Sequence, residues 1–275
     1  MAGEQVTTPD KPPANGAGPS GEVVLAARDI TVEFGGKKVL DKLSLDVMRG
    51  EILGFVGASG AGKSVLLRTI LGLNRKQSGT IKLFGVDLDK ANEKQRMQLD
   101  MRFGVLFQHG ALFSALTVQE NVQVPMREYL DLPPRLMDEL AQLKIELVGL
   151  PRDAAMKFPS ELSGGMVKRA ALARALALDP EIVFLDEPTS GLDPISAAEF
   201  DELVGKLRDT MGLTVYMVTH DLDSLFSVCD RIAVLGHKKV LVAGTVQDML
   251  AYDDPWVKAY FRGKRARQLD LAARG

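Results

Sequence analysis

The sequence has one cysteine, Cys229, so no disulfide can form within the chain, which fits a reducing compartment. It also lacks a long apolar run. The most apolar stretches, ILGFVG and EIVFL, have the length of strands and fall far short of the roughly eighteen residues that a membrane-crossing helix needs. The chain is therefore expected to be soluble, although able to dock onto something in a membrane. An excess of positive charge is missing too: 34 Lys and Arg against 36 Asp and Glu leave a formal net charge of -2. No global field draws nucleic acid, and such binding would need a local basic patch. Residues 1–22, MAGEQVTTPDKPPANGAGPSGE, lack the apolar core of a secretory signal and have the Pro, Gly and Ala content of a disordered tail.

The 275 residues that include this tail suffice for one large domain or two small ones. From Val23 to Val47 a period of two, broken by FGGKK, predicts an antiparallel hairpin turning at Gly35 and Gly36. Next come an unbroken apolar strand (EILGFVG), a glycine-rich loop and a helix (VLLRTILGL). Between about Lys90 and Ser163 the pattern turns helical, FGVLFQ excepted. There Leu136, Leu140, Leu143 and Leu147 predict an amphipathic helix opened by Pro133 and Pro134 and ended by Gly149. Helix, buried strand (EIVFLDE), helix, strand (TVYMVTH) and a closing hairpin follow. This alternation predicts an α/β fold with a mostly parallel sheet covered by helices.

The loop Gly57 to Ser64, GASGAGKS, sits between a strand and a helix, where a phosphate-binding loop belongs. Gly57, Gly60 and Gly62 let backbone N–H groups crowd around phosphate oxygens at the positive end of the helix. Lys63 would reach the outer phosphates, and the Ser64 hydroxyl would ligate Mg2+. The strand Ile182 to Leu185 delivers two acids at its carboxyl end. Asp186 is a candidate for the Mg2+ shell, and Glu187 for the general base that polarises water; capping of a helix is the bland alternative. His220 ends a second buried strand, and Gln108 ends GVLFQ. Finally, LSGGM places Ser163 as the cap of a helix whose first residues, Gly164 and Gly165, leave N–H groups bare, which makes a second anion site. A phosphate wrapped by one loop has little room for another helix end from the same chain. A two-fold dimer, each copy capping the other's nucleotide, resolves this.

Together these segments resemble the ATPase subunits of ABC transporters. GASGAGKS, the Q-loop at Gln108, the signature LSGGM, IVFLDE, the D-loop SGLD ending at Asp193 and the switch His220 occur in the family's order, over about Val23 to Gly244. The resemblance implies a P-loop ATPase domain over 23–250, with an antiparallel β subdomain and a helical subdomain inserted at about 90–165. It implies ATP held by Phe34, which stacks on adenine, and by Gly57, Ala58, Ser59, Gly60, Ala61, Gly62, Lys63, Ser64 and Val65. Ala58 stands where relatives often have Pro, with the N–H donors kept. Mg2+ would meet Ser64, Gln108 and Asp186; catalysis would use Glu187, His220, Gln108 and Lys63; Ser163, Gly164, Gly165 and Asp193 would act on the second copy's ATP. LFQHGALFSALTVQENV and PSELSGGMVKRAALARALALDPEIVFLDEP are similar to the ATPases of MCE-linked phospholipid transporters. That likeness implies an MlaE-like permease, an MCE-domain protein, in some systems a small STAS-domain protein, and a peripheral place on the cytoplasmic face of a bacterial inner membrane. The alternatives are an importer ATPase for a small solute and a soluble ABC ATPase acting on nucleic acid. One cassette, a short insertion and a slightly acidic charge speak against the last. In the segment 251–275, Trp256, Val257, Tyr260 and Phe261 share a helical face beside Arg262, Lys264, Arg265 and Arg267. This face would meet lipid headgroups or a partner, or pack on its own domain.

Overall fold

The computed structural model describes residues 21–262. The tail expected to be disordered lies outside them except for Gly21 and Glu22, as do Lys264, Arg265 and Arg267 of the basic cluster.

Strands β1 (Val23–Phe34) and β2 (Lys37–Met48) form the expected hairpin. Gly35 and Gly36 turn it with φ of 56° and 76°, values that a Cβ would penalise. After β3 (Ile52–Gly57) come helix α1 (Lys63–Ile70) and strands β4 (Ser78–Leu83) and β5 (Val86–Asp87). The next elements are α2 (Glu93–Asp100), β6 (Phe103–Leu106), α3 (Val118–Tyr129), α4 (Pro134–Leu147) and α5 (Gly164–Ala175). Strand β7 (Ile182–Asp186), α6 (Pro194–Met211), β8 (Thr214–Val218) and α7 (Leu222–Ser227) follow. Then come β9 (Arg231–Gly236), β10 (Lys239–Gly244), α8 (Val246–Ala251) and a last helix at 255–262.

Strands β2, β1, β4 and β5 make an antiparallel sheet in that order; β10, β9, β3, β8, β7 and β6 make the larger one. Within the larger sheet β6, β7, β8, β3 and β9 run parallel. Every residue of β3, β7 and β8 is buried, which is why these strands read as unbroken apolar runs: helices cover both faces. Register then decides what shares an edge. Phe55 and Asp186 both pair with Val218, and Leu106 pairs with Leu185. The loops leaving β3, β6, β7 and β8 therefore emerge side by side at the carboxyl edge, where open α/β sheets bind ligands.

Helix α4 forms with Pro134 in its first turn, but its packed face differs from the expected one. Met137, Ala141, Ile145 and Val148 are buried, whereas Leu136 and Leu143 are 41% and 57% exposed and Leu140 and Leu147 sit at the margin. Small Ala141 lets α4 approach α3 and α5 closely, and the bulkier leucines are left flanking the contact. At the carboxyl end, Val257 and Phe261 are fully buried against Leu225, Ile232, Val234 and Met249. The aromatic face therefore packs on its own domain, with Trp256 and Tyr260 half-buried at its rim.

Candidate active site

The loop after β3 is shaped by glycines at close approaches. A Cβ on Gly57 would lie 2.6 Å from the carbonyl oxygen of Leu235 in β9. At Gly62, where φ is 112°, it would lie 2.9 Å from Val39 in β2. Gly60 adopts φ of 74°, and the Ala61 N–H donates to the Ala58 carbonyl at 3.1 Å. Ala58, Ser59 and Gly60 are exposed; Ala61, Lys63, Ser64 and Val65 are half-buried. The Lys63 ammonium donates to the carbonyls of Gly57 at 2.8 Å and Ala58 at 3.3 Å, so it folds over the loop. Burial lowers its pKa, and the nearby charges of Glu187 and Asp186 oppose that shift. Phe34, half-exposed at the hairpin tip, is not a core residue. It pairs with Lys37, two residues before the Val39 that abuts Gly62.

From the neighbouring strand end, Asp186 accepts a hydrogen bond from the Ser64 hydroxyl at 3.3 Å. Burial raises the Asp186 pKa, against the Ser64 bond and the charges of Arg68, Lys168 and Lys63. Glu187 sits at φ of 50°, a conformation that costs a non-glycine residue about 1–3 kcal/mol and that clusters at functional sites. Its N–H donates to the Val218 carbonyl at 2.8 Å, and its Oε2 lies 2.6 Å from His220 Nδ1. Neither acid caps a helix, since α6 begins only at Pro194. The Glu187 side chain is 13% exposed and the His220 ring 67% exposed, so the pair faces outward from the sheet edge. Ser64 and Asp186 offer hard oxygen donors suited to Mg2+, and among the described residues no cluster of three or more His, Cys, Asp or Glu could hold a metal unaided. A two-donor set fits a cation that is otherwise held by water and substrate phosphates.

Four residues contribute to the site without having been assigned to it from the sequence. Lys168 of α5, 5% exposed, donates to the carbonyl of Gln108 and to that of Glu187 at 3.1 Å, so one ammonium ties the Gln108 loop to the acid-bearing strand end. The Gln108 side chain itself is exposed. Two turns along α5, Arg174 donates to the carbonyls of Ala111 at 2.6 Å and Gly110 at 2.8 Å. Fully buried Asn121 secures the following stretch through the Phe113 N–H and the carbonyls of Phe113, Leu116 and Thr117. Tyr260 donates to the His220 carbonyl at 2.7 Å. The spacing of charges on α5 hints at Lys168, which falls among alanines on the buried face, and the aromatic face at 256–261 includes Tyr260; nothing local marks Arg174 or Asn121.

The signature residues form a second group. Ser163 caps α5, accepting from the Met166 N–H at 3.3 Å, and the helix begins at Gly164. Gly164 and Gly165 face Leu192 and Ser196, with 3.8 and 3.9 Å of clearance from a notional Cβ. A cavity of about 170 Å3 lies between these helix ends, lined by Ser163, Gly165, Leu192 and Ser196 among others. Asp193 caps α6, accepting from the N–H groups of Ile195 and Ser196 at 3.1 and 3.0 Å and from the Ser196 hydroxyl at 2.6 Å. Among the described residues no hydrogen bond or ion pair joins this group to Lys63, Ser64, Asp186, Glu187 or His220. One chain brings together the loop, the acids and the histidine, and the residues Ser163, Gly164, Gly165 and Asp193 take no part in that hydrogen-bond network.

The family model for ABC transporters matches residues 40–190. The chain is 37% identical to the intermembrane phospholipid transport system ATP-binding protein MlaF of Haemophilus influenzae, over 88% of this chain and 91% of that protein. It is also 37% identical to the probable ribonucleotide transport ATP-binding protein mkl of Mycobacterium leprae, over 91% of this chain and 72% of that protein. Among solved structures it resembles the dimeric post-hydrolysis state of the ATP-binding cassette MJ0796 bound to ADP and Pi. There the TM-score is 0.72 at 28% identity, covering 80% of this chain and 98% of that one.

Proposed function

The chain belongs to the ABC transporter family, and from that premise we propose that it is the ATP-hydrolysing subunit of a transporter that moves phospholipid between membranes. The observation that carries the motor half is the carboxyl edge itself: phosphate loop, buried acid, second acid and histidine converge there. The similarity to MlaF supports the lipid half.

In this reading Lys63 and the N–H groups of residues 57–65 hold the phosphates of ATP, and Phe34 stacks on its adenine. Ser64 and Asp186, with Gln108, would hold Mg2+, which when bound would supply neutralisation of charge on the transferred phosphate. Glu187 takes the proton of the attacking water, and His220, at 2.6 Å, holds that carboxylate and the water in line. The water oxygen bonds to the γ-phosphorus as the bond from that phosphorus to the β–γ bridging oxygen breaks, and ADP and phosphate leave. Ser163, Gly164, Gly165 and Asp193 of a second copy close the site, so ATP joins two chains head to tail and hydrolysis lets them part.

Movement reaches the membrane through the Gln108 loop. An apolar groove of about 440 Å3 lies between β6, that loop, α3 and α5, lined by Phe103, Phe107, Phe113, Pro125, Tyr129 and Leu178 among others. It suits a segment of an MlaE-like permease, and Lys168 and Arg174 tie its wall to Glu187 and to the signature helix. The ATPase domain spans 23–250, and its helical part, about 90–165, swings with that wall. The exposed Leu136 and Leu143 on α4 leave an apolar stripe for a further subunit such as a small STAS-domain protein. No helix among the described residues is long and apolar enough to cross a membrane. In this reading, which the similarity to MlaF supports, the chain works as a peripheral subunit on the cytoplasmic face of the inner membrane, with permease and MCE-domain partners.

Purification from its native membrane with its partners tests this. A permease, an MCE-domain protein and bound phospholipid are the expected companions. A solute-binding protein, or nucleotide transport as in the name of mkl, would overturn the lipid assignment.

A further inference from the structure

We propose that Tyr260 is a positioning residue for hydrolysis: its hydroxyl fixes the His220 carbonyl and thereby holds the imidazole against Glu187. The inference rests on the reading above, that Glu187 and His220 act on the attacking water. The two contacts are in series, 2.7 Å from Tyr260 Oη to the His220 carbonyl oxygen and 2.6 Å from His220 Nδ1 to Glu187 Oε2.

The imidazole is 67% exposed, so little packing orients it. Its direction comes from its backbone and from the carboxylate it meets. That backbone is tied upstream, where the Thr219 N–H donates to the Phe55 carbonyl at 3.3 Å, and downstream, where the Asp221 N–H donates to the Thr219 hydroxyl at 3.0 Å. Tyr260 adds the tie at the residue itself, from 40 positions along the chain.

The helix at 255–262 is built to hold that hydroxyl still. Asp254 caps it through the N–H groups of Trp256 and Val257 at 2.9 and 3.0 Å. Val257 and Phe261 are fully buried, and the Phe261 ring lies 6.2 Å from Phe226 of α7, the helix that starts directly after Asp221. The Tyr260 ring is stacked on Trp256, with centroids 4.8 Å apart and planes 14° apart, and meets Phe261 edge-on at 5.2 Å. The helix thus grips the histidine twice, through α7 and through the carbonyl. Burial and the charges of Glu187 and Asp221 raise the phenol pKa, so the hydroxyl remains a donor at neutral pH.

Tyr260→Phe keeps the ring, its stacking and the buried face, and deletes one donor. Steady-state phosphate release by the full chain should show kcat reduced about fivefold with KM for ATP unchanged, the pattern for loss of one neutral hydrogen bond that matters after binding. In a His220→Ala background the same change should add nothing, because the residue it acts through is gone. Wild-type kcat in Tyr260→Phe, a change in KM alone, or a further fall in the His220→Ala background would overturn the proposal. Glu187→Gln, measured alongside, separates the two levels: if it is inactive while Tyr260→Phe is normal, only the tyrosine's role fails, whereas full turnover by Glu187→Gln removes the reading of the site itself.

Discussion

Replacing Lys168 by methionine removes one ammonium and leaves its aliphatic volume in place. Two carbonyls lose their donor at once, that of Gln108 and that of Glu187. Hydrogen bonds from a charged group contribute about 1.5–3 kcal/mol each, so the gross loss is about 3–6 kcal/mol. Against it stands the desolvation of a cation that is 5% exposed, which lowers the Lys168 pKa and which methionine avoids. The net destabilisation is then about 2 kcal/mol, and Tm should fall by about 4–8 °C for a domain of this size. If the same free energy holds Glu187 in its left-handed conformation during hydrolysis, kcat falls by up to about 30-fold, with ATP binding retained because the phosphate loop is untouched. Thermal unfolding, binding of a fluorescent ATP analogue and phosphate release together check this. A variant with unchanged Tm and unchanged kcat would refute the idea that Lys168 joins the two loops.

Glu187→Gln should cut turnover by about 10²- to 10⁴-fold, the range for a lost general base, and should leave a persistent ATP-bound dimer on a sizing column. Wild-type turnover with a monomer in Mg-ATP would count against that role. Asp201 of α6, 4% exposed, has one carboxylate oxygen without a hydrogen-bond partner among the described residues; burial, opposed by Ser224 and aided by the charges of Asp221 and Asp223, lifts its pKa from 3.8 to about 6. Because the folded value lies above the unfolded one, its contribution is fully present below about pH 4 and is lost as pH rises through about 6. Asp201→Asn, which mimics the protonated form, should therefore raise Tm at pH 8, by an amount corresponding to at most about 3 kcal/mol, and its advantage should shrink by pH 5. An equal gain at both values would show that ionisation is not the cause.

The elements whose local chemistry is self-sufficient were legible in the sequence. Gly35 and Gly36 announce a hairpin, and the short runs 52–56, 182–185 and 215–218 announce buried strands, because none of them alternates with charged residues. The face of α4 was misjudged because leucine spacing was weighed and Ala141 was not, although a small side chain is what permits close helix packing. The contacts that Lys168 and Tyr260 make with the site were illegible for a different reason. Their partners are backbone carbonyls 60, 19 and 40 residues away, and a carbonyl leaves no mark in the sequence. The left-handed Glu187 is equally silent there, its N–H being bonded to the Val218 carbonyl of the neighbouring strand.

That a pocket is completed by two chains can be tested by mixing two variants. Lys63→Ala disables one chain's phosphate loop and leaves its signature intact. Gly165→Asp disables the signature, in a position where a Cβ would still have 3.9 Å of clearance, so the fold is kept. Each variant alone should fail to hydrolyse ATP, and their mixture should regain hydrolysis, because a mixed dimer contains one loop and one signature that are both sound. A mixture as inactive as its parts, or full activity in Gly165→Asp alone, would contradict the shared pocket.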